Sequence, residues 1–121
     1  MAEPMPDRRV VGSRGEAAAA QFLEGKGLAI IARNFRTRRG EIDLIARDGD
    51  TLVFVEVRVR TSRAFGGAAA SITGAKQARM IAAAGAYLCR LGREPPCRFD
   101  AILIDGGDDA TLTWERDIIE V

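Results

Sequence analysis

The sequence of 121 residues contains no histidine and only two cysteines, Cys89 and Cys97. Without histidine, the chain cannot form a Ser-His or Cys-His nucleophile pair, a histidine general base or a histidine-ligated zinc site. The two cysteines form no CxxC motif, and we therefore expect a reduced, cytoplasmic protein. Any acid–base chemistry in this chain must use carboxylates, lysine, arginine, hydroxyl groups or metal-bound water.

Long apolar runs are also missing from the sequence. No uninterrupted apolar stretch approaches the roughly 18 residues of a membrane span, and the charged segment 1–15 lacks the apolar core of a signal peptide. We therefore expect no association with a membrane. The composition, 47% apolar and 29% charged, is typical of a globular protein. The length predicts a single domain over residues 1–121, with 1–11 as a flexible N-terminal arm.

The net charge of +1 conceals an uneven distribution of charged residues. The first 40 residues contain eight basic and four acidic side chains, whereas the last 23 contain one basic and seven acidic side chains. Sixteen of the 18 basic residues are arginine, which binds phosphate in a bidentate manner. A biased genome composition would also explain this excess, but one arginine cluster directly precedes an acidic strand. We therefore predict phosphate contacts for Arg36, Arg38 and Arg39.

The pattern of apolar and turn-forming residues predicts the element order α-β-β-β-α-β-β. Ser13 and Glu16 form a capping-box pattern at the start of the first helix, and Thr73 and Gly92 are the expected ends of the second. This order is typical of an α/β domain in which helices flank one mixed sheet. The predicted helices are 13–27 and 73–90, the predicted strands are 28–32, 41–47, 51–60, 98–105 and 111–119, and 61–71 is a predicted loop.

Two carboxylates face each other on the predicted hairpin formed by strands 41–47 and 51–60. The valines of the second strand occupy alternate positions and must face the core. If Gly49 and Asp50 form the turn, only one register keeps the apolar side chains of both strands on the same face. That register pairs Leu44 with Val55, Ile42 with Val57, and Asp43 with Glu56, and it brings the two acidic Cβ atoms to about 4.5–5.5 Å.

The predicted pair of carboxylates needs a compensating group. Two such charges repel each other by about 4 kcal/mol at 4 Å with an effective dielectric constant near 20. A shared proton, a basic neighbour or a divalent cation relieves this repulsion. Arg58 would be sufficient to relieve this repulsion if the sheet face that carries the two carboxylates is solvated. Phe54 on the same face instead indicates a covered site, where oxygen ligands favour Mg²⁺.

Several fragments in a fixed order carry a resemblance to a known family. They are Glu16, the segments 33–36, 40–45 and 54–58, and residues 98–100. Over residues 12–104, this set resembles the YraN-type family of uncharacterised proteins, which is placed in the PD-(D/E)xK, or restriction-endonuclease-like, superfamily. The resemblance implies an αβββαβ core, to which the sequence pattern adds one extra C-terminal strand. It also implies a relationship to archaeal Holliday-junction resolvases and a divalent-metal-dependent nuclease activity.

The resemblance assigns roles to individual residues. Asp43 matches the motif aspartate, Glu56 the motif acid, and Glu16 an additional helix carboxylate that some of these nucleases use. Asp43, Glu56 and the Val57 carbonyl would hold Mg²⁺ or Mn²⁺, Glu16 would assist through water, and Arg58 would position or stabilise the attacking hydroxide. A helix-capping role for Glu16 is an equally good interpretation.

Arg58 departs from the family pattern, which has lysine two residues after the motif acid. Arginine remains charged and cannot act as a general base near neutral pH. If only its charge is needed, the protein is an endonuclease acting on DNA, with branched or structured DNA as candidate substrates. If deprotonation is needed, the protein is a weakened or inactive nucleic-acid-binding module. Lys76 is a further predicted nucleic-acid contact, although a solvated helix lysine is the simpler interpretation.

The C-terminal part of the chain supports three further hypotheses. Asp100 is predicted to form a structural ion pair with an arginine rather than to act in catalysis. Ile118 and Ile119 would extend the last strand and could pair across a two-fold axis, which predicts a homodimer. The acidic C-terminal strand could instead dock a basic partner, which would make the chain a small interaction protein.

Overall fold

The computed structural model describes residues 8–60, 72–106 and 110–119, with side chains described from Arg14 onward. The predicted loop 61–71 and the first seven residues of the predicted N-terminal arm lie outside the described residues, and 8–11 belong to the first helix. The predicted element order is confirmed. The elements are α1 (Arg8–Gly25), β1 (Ala29–Arg36), β2 (Glu41–Asp48), β3 (Thr51–Arg60), α2 (Gly74–Leu91), β4 (Cys97–Asp105) and β5 (Thr111–Glu115).

The five strands form one mixed sheet in the order β1-β2-β3-β4-β5. Strands β3 and β4 are parallel, and the other neighbouring strands are antiparallel. The connection between the parallel strands contains α2, as a parallel crossover requires. The α/β architecture expected of an αβββαβ core with an extra strand is therefore confirmed. Among the described residues, neither helix has the length and hydropathy to span a membrane.

The two helices cover opposite faces of the sheet, so that β3 is buried on both sides. On one face, Val53 and Val55 pack with Leu23 of α1. On the other face, Phe54 packs with Met80 of α2 and is fully buried. The face that carries Phe54 and Glu56 is therefore covered by a helix rather than open to water.

The two helices differ in how well their ends could be predicted. Thr73 caps α2 by accepting a hydrogen bond from the Lys76 N–H, and Gly92 ends the helix in the left-handed conformation, as predicted. The predicted cap at Ser13 is wrong, because α1 begins at Arg8. A capping-box pattern marks the start of a helix only where the residues before it are not helical. The segment 8–12 contains no proline that would prevent a helical conformation.

A tight turn of residues 37–40 joins β1 to β2 and carries two of the predicted phosphate contacts, Arg38 and Arg39. Strand β1 is longer than predicted and ends at Arg36, where the turn begins. The Thr37 hydroxyl accepts hydrogen bonds from the N–H groups of Arg39 and Gly40, each at 3.1 Å. The Thr37 N–H donates to the Gly40 carbonyl at 2.8 Å. These bonds hold the two arginines at the exposed tip.

Gly40 is required for the close approach of this turn to α2. A Cβ atom at position 40 would lie closer than 3.0 Å to the Arg79 carbonyl oxygen, which belongs to the helix backbone. Gly40→Ala should therefore lower the free energy of unfolding by about 1–3 kcal/mol, measured by urea denaturation. Gly85→Ala is the matched control, because the structure leaves open space at this helix position and alanine favours helix. Equal effects of the two substitutions would contradict the packing.

The C-terminal segment does not continue as the predicted strand. Strand β5 ends at Glu115, and Asp117 adopts the left-handed conformation with φ 55°. Its N–H donates to the Asp100 carboxylate at 3.0 Å, and the Ile118 N–H donates to the Phe99 carbonyl at 2.7 Å. Ile119 is consequently buried in the core under α2. The apolar strand at 118–119, on which the predicted homodimer relied together with a free sheet edge, is therefore not formed, and the homodimer stays a prediction.

Candidate functional site

The site lies where β2 separates from β3. The predicted pairing of Leu44 with Val55 is confirmed, and it is the last pair of the ladder at this end. The predicted pairing of Ile42 with Val57 is wrong, because Ile42 packs under α2 whereas Val57 packs under α1. The Asp43 carboxylate causes the difference, since its Oδ2 accepts the Val57 N–H at 2.8 Å. A side chain thus takes the hydrogen bond that a continued ladder would use.

Asp43 and Glu56 form a hydrogen-bonded pair of carboxyl groups at this separation. Glu56 is only 6% exposed. Burial, followed by the charge of Asp43 and the hydrogen bond to it, raises the pKa of Glu56 to about 8. Burial also raises the pKa of Asp43, against the hydrogen bonds from Val57 and Glu56. Without a cation, the pair therefore retains a proton near neutral pH, mainly on Glu56.

Glu16 approaches the pair from α1, in the third turn of the helix. Burial and then the charge of Asp43 raise the pKa of Glu16, and a hydrogen bond with the side chain of Asn34 opposes this shift. Asn34 has φ 52° and lies in β1 between Arg33, which pairs with Leu44, and Phe35, which pairs with Ile42. Asn34 therefore lies opposite Asp43. Sequence reasoning missed this residue, although asparagine is one of the few residues that adopt a positive φ readily.

The carboxyl groups of Glu16, Asp43 and Glu56 do not lie equally close to one another. Within the described ranges, no three acidic or cysteine side chains converge as a group that could hold a metal ion. Asp43 and Glu56 are the hydrogen-bonded members, and Glu16 interacts with Asp43 through its charge. A cation at this site would therefore rely on two carboxylates, and Glu16 would act from farther away.

A basic cavity opens beside the acidic pair. It has a volume of about 350 Å³, and Glu56 and all four predicted nucleic-acid contacts, Arg36, Arg38, Arg39 and Lys76, line it. Sequence reasoning missed Arg79, which also lines this cavity and follows Lys76 by three residues on α2. That spacing places the two side chains on neighbouring positions of one helix face. The structure therefore brings basic residues from the β1–β2 turn and α2 to a buried carboxyl group.

Arg58 lies inside the site rather than on an open sheet face. Its Nη1 is 3.4 Å from the Glu56 Oε1, and its side chain is 18% exposed. Because the two residues are separated by one position on β3, their side chains project from the same face of the strand. The positive charge of Arg58 favours the ionised form of Glu56, although less than burial opposes it.

The donor chemistry of the pair fits a divalent cation. Glu56 is buried and Asp43 is half-buried, and their charges are incompletely balanced, as their raised pKa values indicate. In a β-strand, the N–H and C=O of one residue point to the same side, so the Val57 carbonyl faces the side where Asp43 receives the Val57 N–H. Carboxylate and carbonyl oxygens are the ligands that Mg²⁺ and Mn²⁺ accept.

The buried carboxyl group of Glu56 also predicts how stability depends on pH. Between pH 4.5 and about 8, the folded protein retains a Glu56 proton that the unfolded chain releases. Glu56 therefore causes the free energy of unfolding to fall as the pH rises through this range. In metal-free buffer near pH 8, Glu56→Gln should raise the free energy of unfolding by about 3 kcal/mol. Below pH 4.5 the variant and the wild type should have the same free energy of unfolding, measured by urea denaturation. If the variant is more stable by the same amount at both pH values, the raised pKa of Glu56 is contradicted.

The residues of this site fall within a region shared with other proteins. The model of an uncharacterised protein family, UPF0102, matches residues 15–104. The chain belongs to this family. A UPF0102 protein of Nitrosospira multiformis is 50% identical over 113 residues, covering 93% of this chain and 95% of the relative. A UPF0102 protein of Nitrosomonas eutropha is 57% identical over 103 residues, covering 85% of this chain and 87% of the relative.

The match to UPF0102 spans the whole candidate site. Residues 15–104 include Glu16, the β1–β2 turn, the acidic pair and Lys76. A UPF0102 protein of Symbiobacterium thermophilum is 54% identical over 105 residues, covering 86% of this chain and 89% of the relative. The YraN-type resemblance of the sequence is thus confirmed at the level of the family.

Proposed function

We propose that this UPF0102 protein is a divalent-metal-dependent endonuclease that hydrolyses DNA phosphodiesters, with branched or structured DNA as candidate substrates. The observation that carries the proposal is the hydrogen-bonded pair of half-buried Asp43 and buried Glu56 at the edge of a cavity lined by basic residues. A polyanion is attracted to the basic wall, and a cation is attracted to the carboxyl groups. Together these groups would bind a phosphodiester beside a metal ion.

The proposed site of the cation is formed by Asp43, Glu56 and the Val57 carbonyl. A bound Mg²⁺ or Mn²⁺ would supply Lewis-acid chemistry and lower the pKa of water. In hydrolysis, a water oxygen forms a bond to phosphorus, and the bond from phosphorus to the sugar oxygen of the leaving strand breaks. The water loses a proton and the leaving oxygen gains one, so the reaction needs no oxidant or reductant. Glu16, which interacts with Asp43 through its charge, would act from farther away by accepting a hydrogen bond from a water molecule.

The proposal is tested by incubating the purified protein with branched, nicked, single-stranded and linear duplex DNA. With Mg²⁺ or Mn²⁺, we expect cleavage of at least one of these substrates, and chelation of the cation should abolish it. Cleavage that persists after chelation would contradict the role of the metal. The absence of cleavage from every substrate would contradict the nuclease activity itself.

The β1–β2 turn should contribute to DNA binding through phosphate contacts. Replacing Arg36, Arg38 and Arg39 with glutamine should weaken binding and reduce the slope of log affinity against log salt by about 3 units. Arg47→Gln with Arg93→Gln is the control, because these residues line a separate cavity at the opposite end of β2. Fluorescence anisotropy with labelled DNA at several salt concentrations measures both effects. An equal loss in the control variant would mean that the basic turn has no special role.

Arg58 also favours a second candidate function, a nucleic-acid-binding module that has lost catalysis. Its guanidinium already pairs with Glu56 and cannot serve as a general base near neutral pH. Such a module would bind DNA in a salt-sensitive manner without cleaving it. If the wild type only binds, Arg58→Lys discriminates between the two functions. A gain of cleavage identifies a weakened nuclease, and continued binding without cleavage identifies the module.

We also propose a cytoplasmic location, where DNA is accessible. Cys89 and Cys97 are both free and exposed, which suits a reducing compartment.

A further inference from the structure

Two basic side chains lie near Glu56, and they differ in what surrounds them. Arg58 comes from the same strand, and its Nη1 is 3.4 Å from the Glu56 Oε1. Lys76 comes from α2 and lines the same cavity as Glu56. Within the described part of the chain, the Lys76 ammonium forms no hydrogen bond or ion pair, and the side chain is half-buried. The lysine therefore has donors available for a molecule in the cavity.

The position of Lys76 on α2 has an electrostatic cost. The helix begins at Gly74, so Lys76 belongs to its first turn, and this turn contains no acidic residue. The N-terminus of a helix carries a partial positive charge and disfavours a nearby cation. Arg79 adds a second positive charge from the same helix to this cavity. A phosphate group in the cavity would offset the positive charges of Lys76, Arg79 and the N-terminus of α2.

The chemistry of the two side chains separates their roles. An arginine that pairs with a carboxylate orients it and remains protonated. The lysine ammonium is a compact charge on a flexible stem and can follow a phosphate oxygen as negative charge develops on it.

We propose that Lys76 is the catalytic lysine of this site, contacting a non-bridging oxygen of the scissile phosphate, and that Arg58 is a positioning residue that orients Glu56. The inference rests on the proposed nuclease function and names the side chain that touches the substrate. The catalytic lysine then lies in the first turn of α2, whereas the family pattern has it on the strand that corresponds to β3.

The chain offers a direct test because Lys26 and Lys76 are its only lysines. The rates at which an amine-acylating reagent modifies them are measured by peptide mass spectrometry, with and without a short DNA duplex. Ca²⁺ replaces Mg²⁺ in this experiment to hold the duplex without turnover. Lys76 should be modified about tenfold more slowly with DNA present, as expected for a charge-assisted contact. Lys26 should react at an unchanged rate and serves as the internal control.

The second arm measures cleavage by variants in the presence of Mg²⁺. Lys76→Met should lower kcat by about 100-fold with a smaller change in KM, as expected for a group that acts in the transition state. Lys76→Arg should retain more activity than Lys76→Met, because it keeps the positive charge. Lys26→Met should leave the rate unchanged.

The two arms distinguish failure of this inference from failure of the proposed function. Protection of Lys76 together with the loss of activity in Lys76→Met supports both. Protection without any wild-type cleavage supports the phosphate contact and contradicts the nuclease. Wild-type cleavage that is unchanged in Lys76→Met, with no protection of Lys76, overturns the inference and leaves the nuclease standing. If Lys76 is not protected and the wild type does not cleave DNA, both the inference and the proposed function are overturned.

Discussion

Glu56→Gln should lower the rate of DNA cleavage by about 1,000-fold, as expected when an electrostatic group at the reaction centre is lost. The substitution preserves the shape of the side chain and its ability to form a hydrogen bond with Asp43, but removes the charge that would hold a cation. Burial makes the effect large, because few water molecules can replace the carboxylate at a position that is 6% exposed. Single-turnover cleavage in Mg²⁺ measures the effect.

The same substitution separates catalysis from folding. Near pH 8, Glu56→Gln is expected to stabilise the protein, because it removes the cost of burying a charge next to Asp43. Activity and stability should therefore change in opposite directions, which unfolding cannot produce. Glu24→Gln is the matched control, since Glu24 is exposed on α1. An active Glu56→Gln variant would contradict the proposed mechanism.

Asp100→Ala should lower the free energy of unfolding by about 3–5 kcal/mol, the usual effect of breaking a buried ion pair by removing one partner. The Asp100 carboxylate is fully buried and accepts the Arg98 Nε–H at 3.1 Å. It also accepts the Trp114 indole N–H at 3.0 Å and the Asp117 N–H at 3.0 Å. Its removal leaves all these donors without their acceptor and loosens the turn that buries Ile119. The predicted structural ion pair of Asp100 is confirmed by these contacts.

Asp48→Ala provides the matched comparison for Asp100. Its carboxylate also pairs with Arg98, at 3.0 Å, but is 43% exposed. Solvent screening limits such a pair to about 1 kcal/mol or less. Urea denaturation followed by the fluorescence of Trp114, the single tryptophan, measures both variants. If the two substitutions destabilise the protein equally, burial does not determine the strength of these ion pairs.

The hairpin shows how much of the site could be predicted from sequence. Alternating apolar residues determined the pairing of Leu44 with Val55, because any shift by one residue would expose one apolar set. This pairing was sufficient to bring Asp43 and Glu56 together. The end of the ladder could not be predicted in the same way, because periodicity carries no information about a carboxylate that replaces a backbone acceptor for Val57.

Features that depend on long-range packing were also beyond the sequence pattern. The turn at Gly40 contacts Arg79, 39 positions later in the chain, and this contact brings α2 to the basic turn. The prediction of a strand through Ile118 and Ile119 is wrong because Asp100, on β4, fixes the turn at Asp117. In both cases a local segment is positioned by a partner that its own sequence does not specify.

A calorimetric titration with Mn²⁺ at neutral pH tests most directly the proposal that Asp43 and Glu56 hold a divalent cation. The wild type should bind one ion. Asp43→Asn should lose this binding, although its amide oxygen can still accept the Val57 N–H and preserve the end of the ladder. Asp50→Asn, at the exposed β2–β3 turn, should bind as the wild type does. No binding by the wild type, or equal binding by Asp43→Asn, would contradict the account.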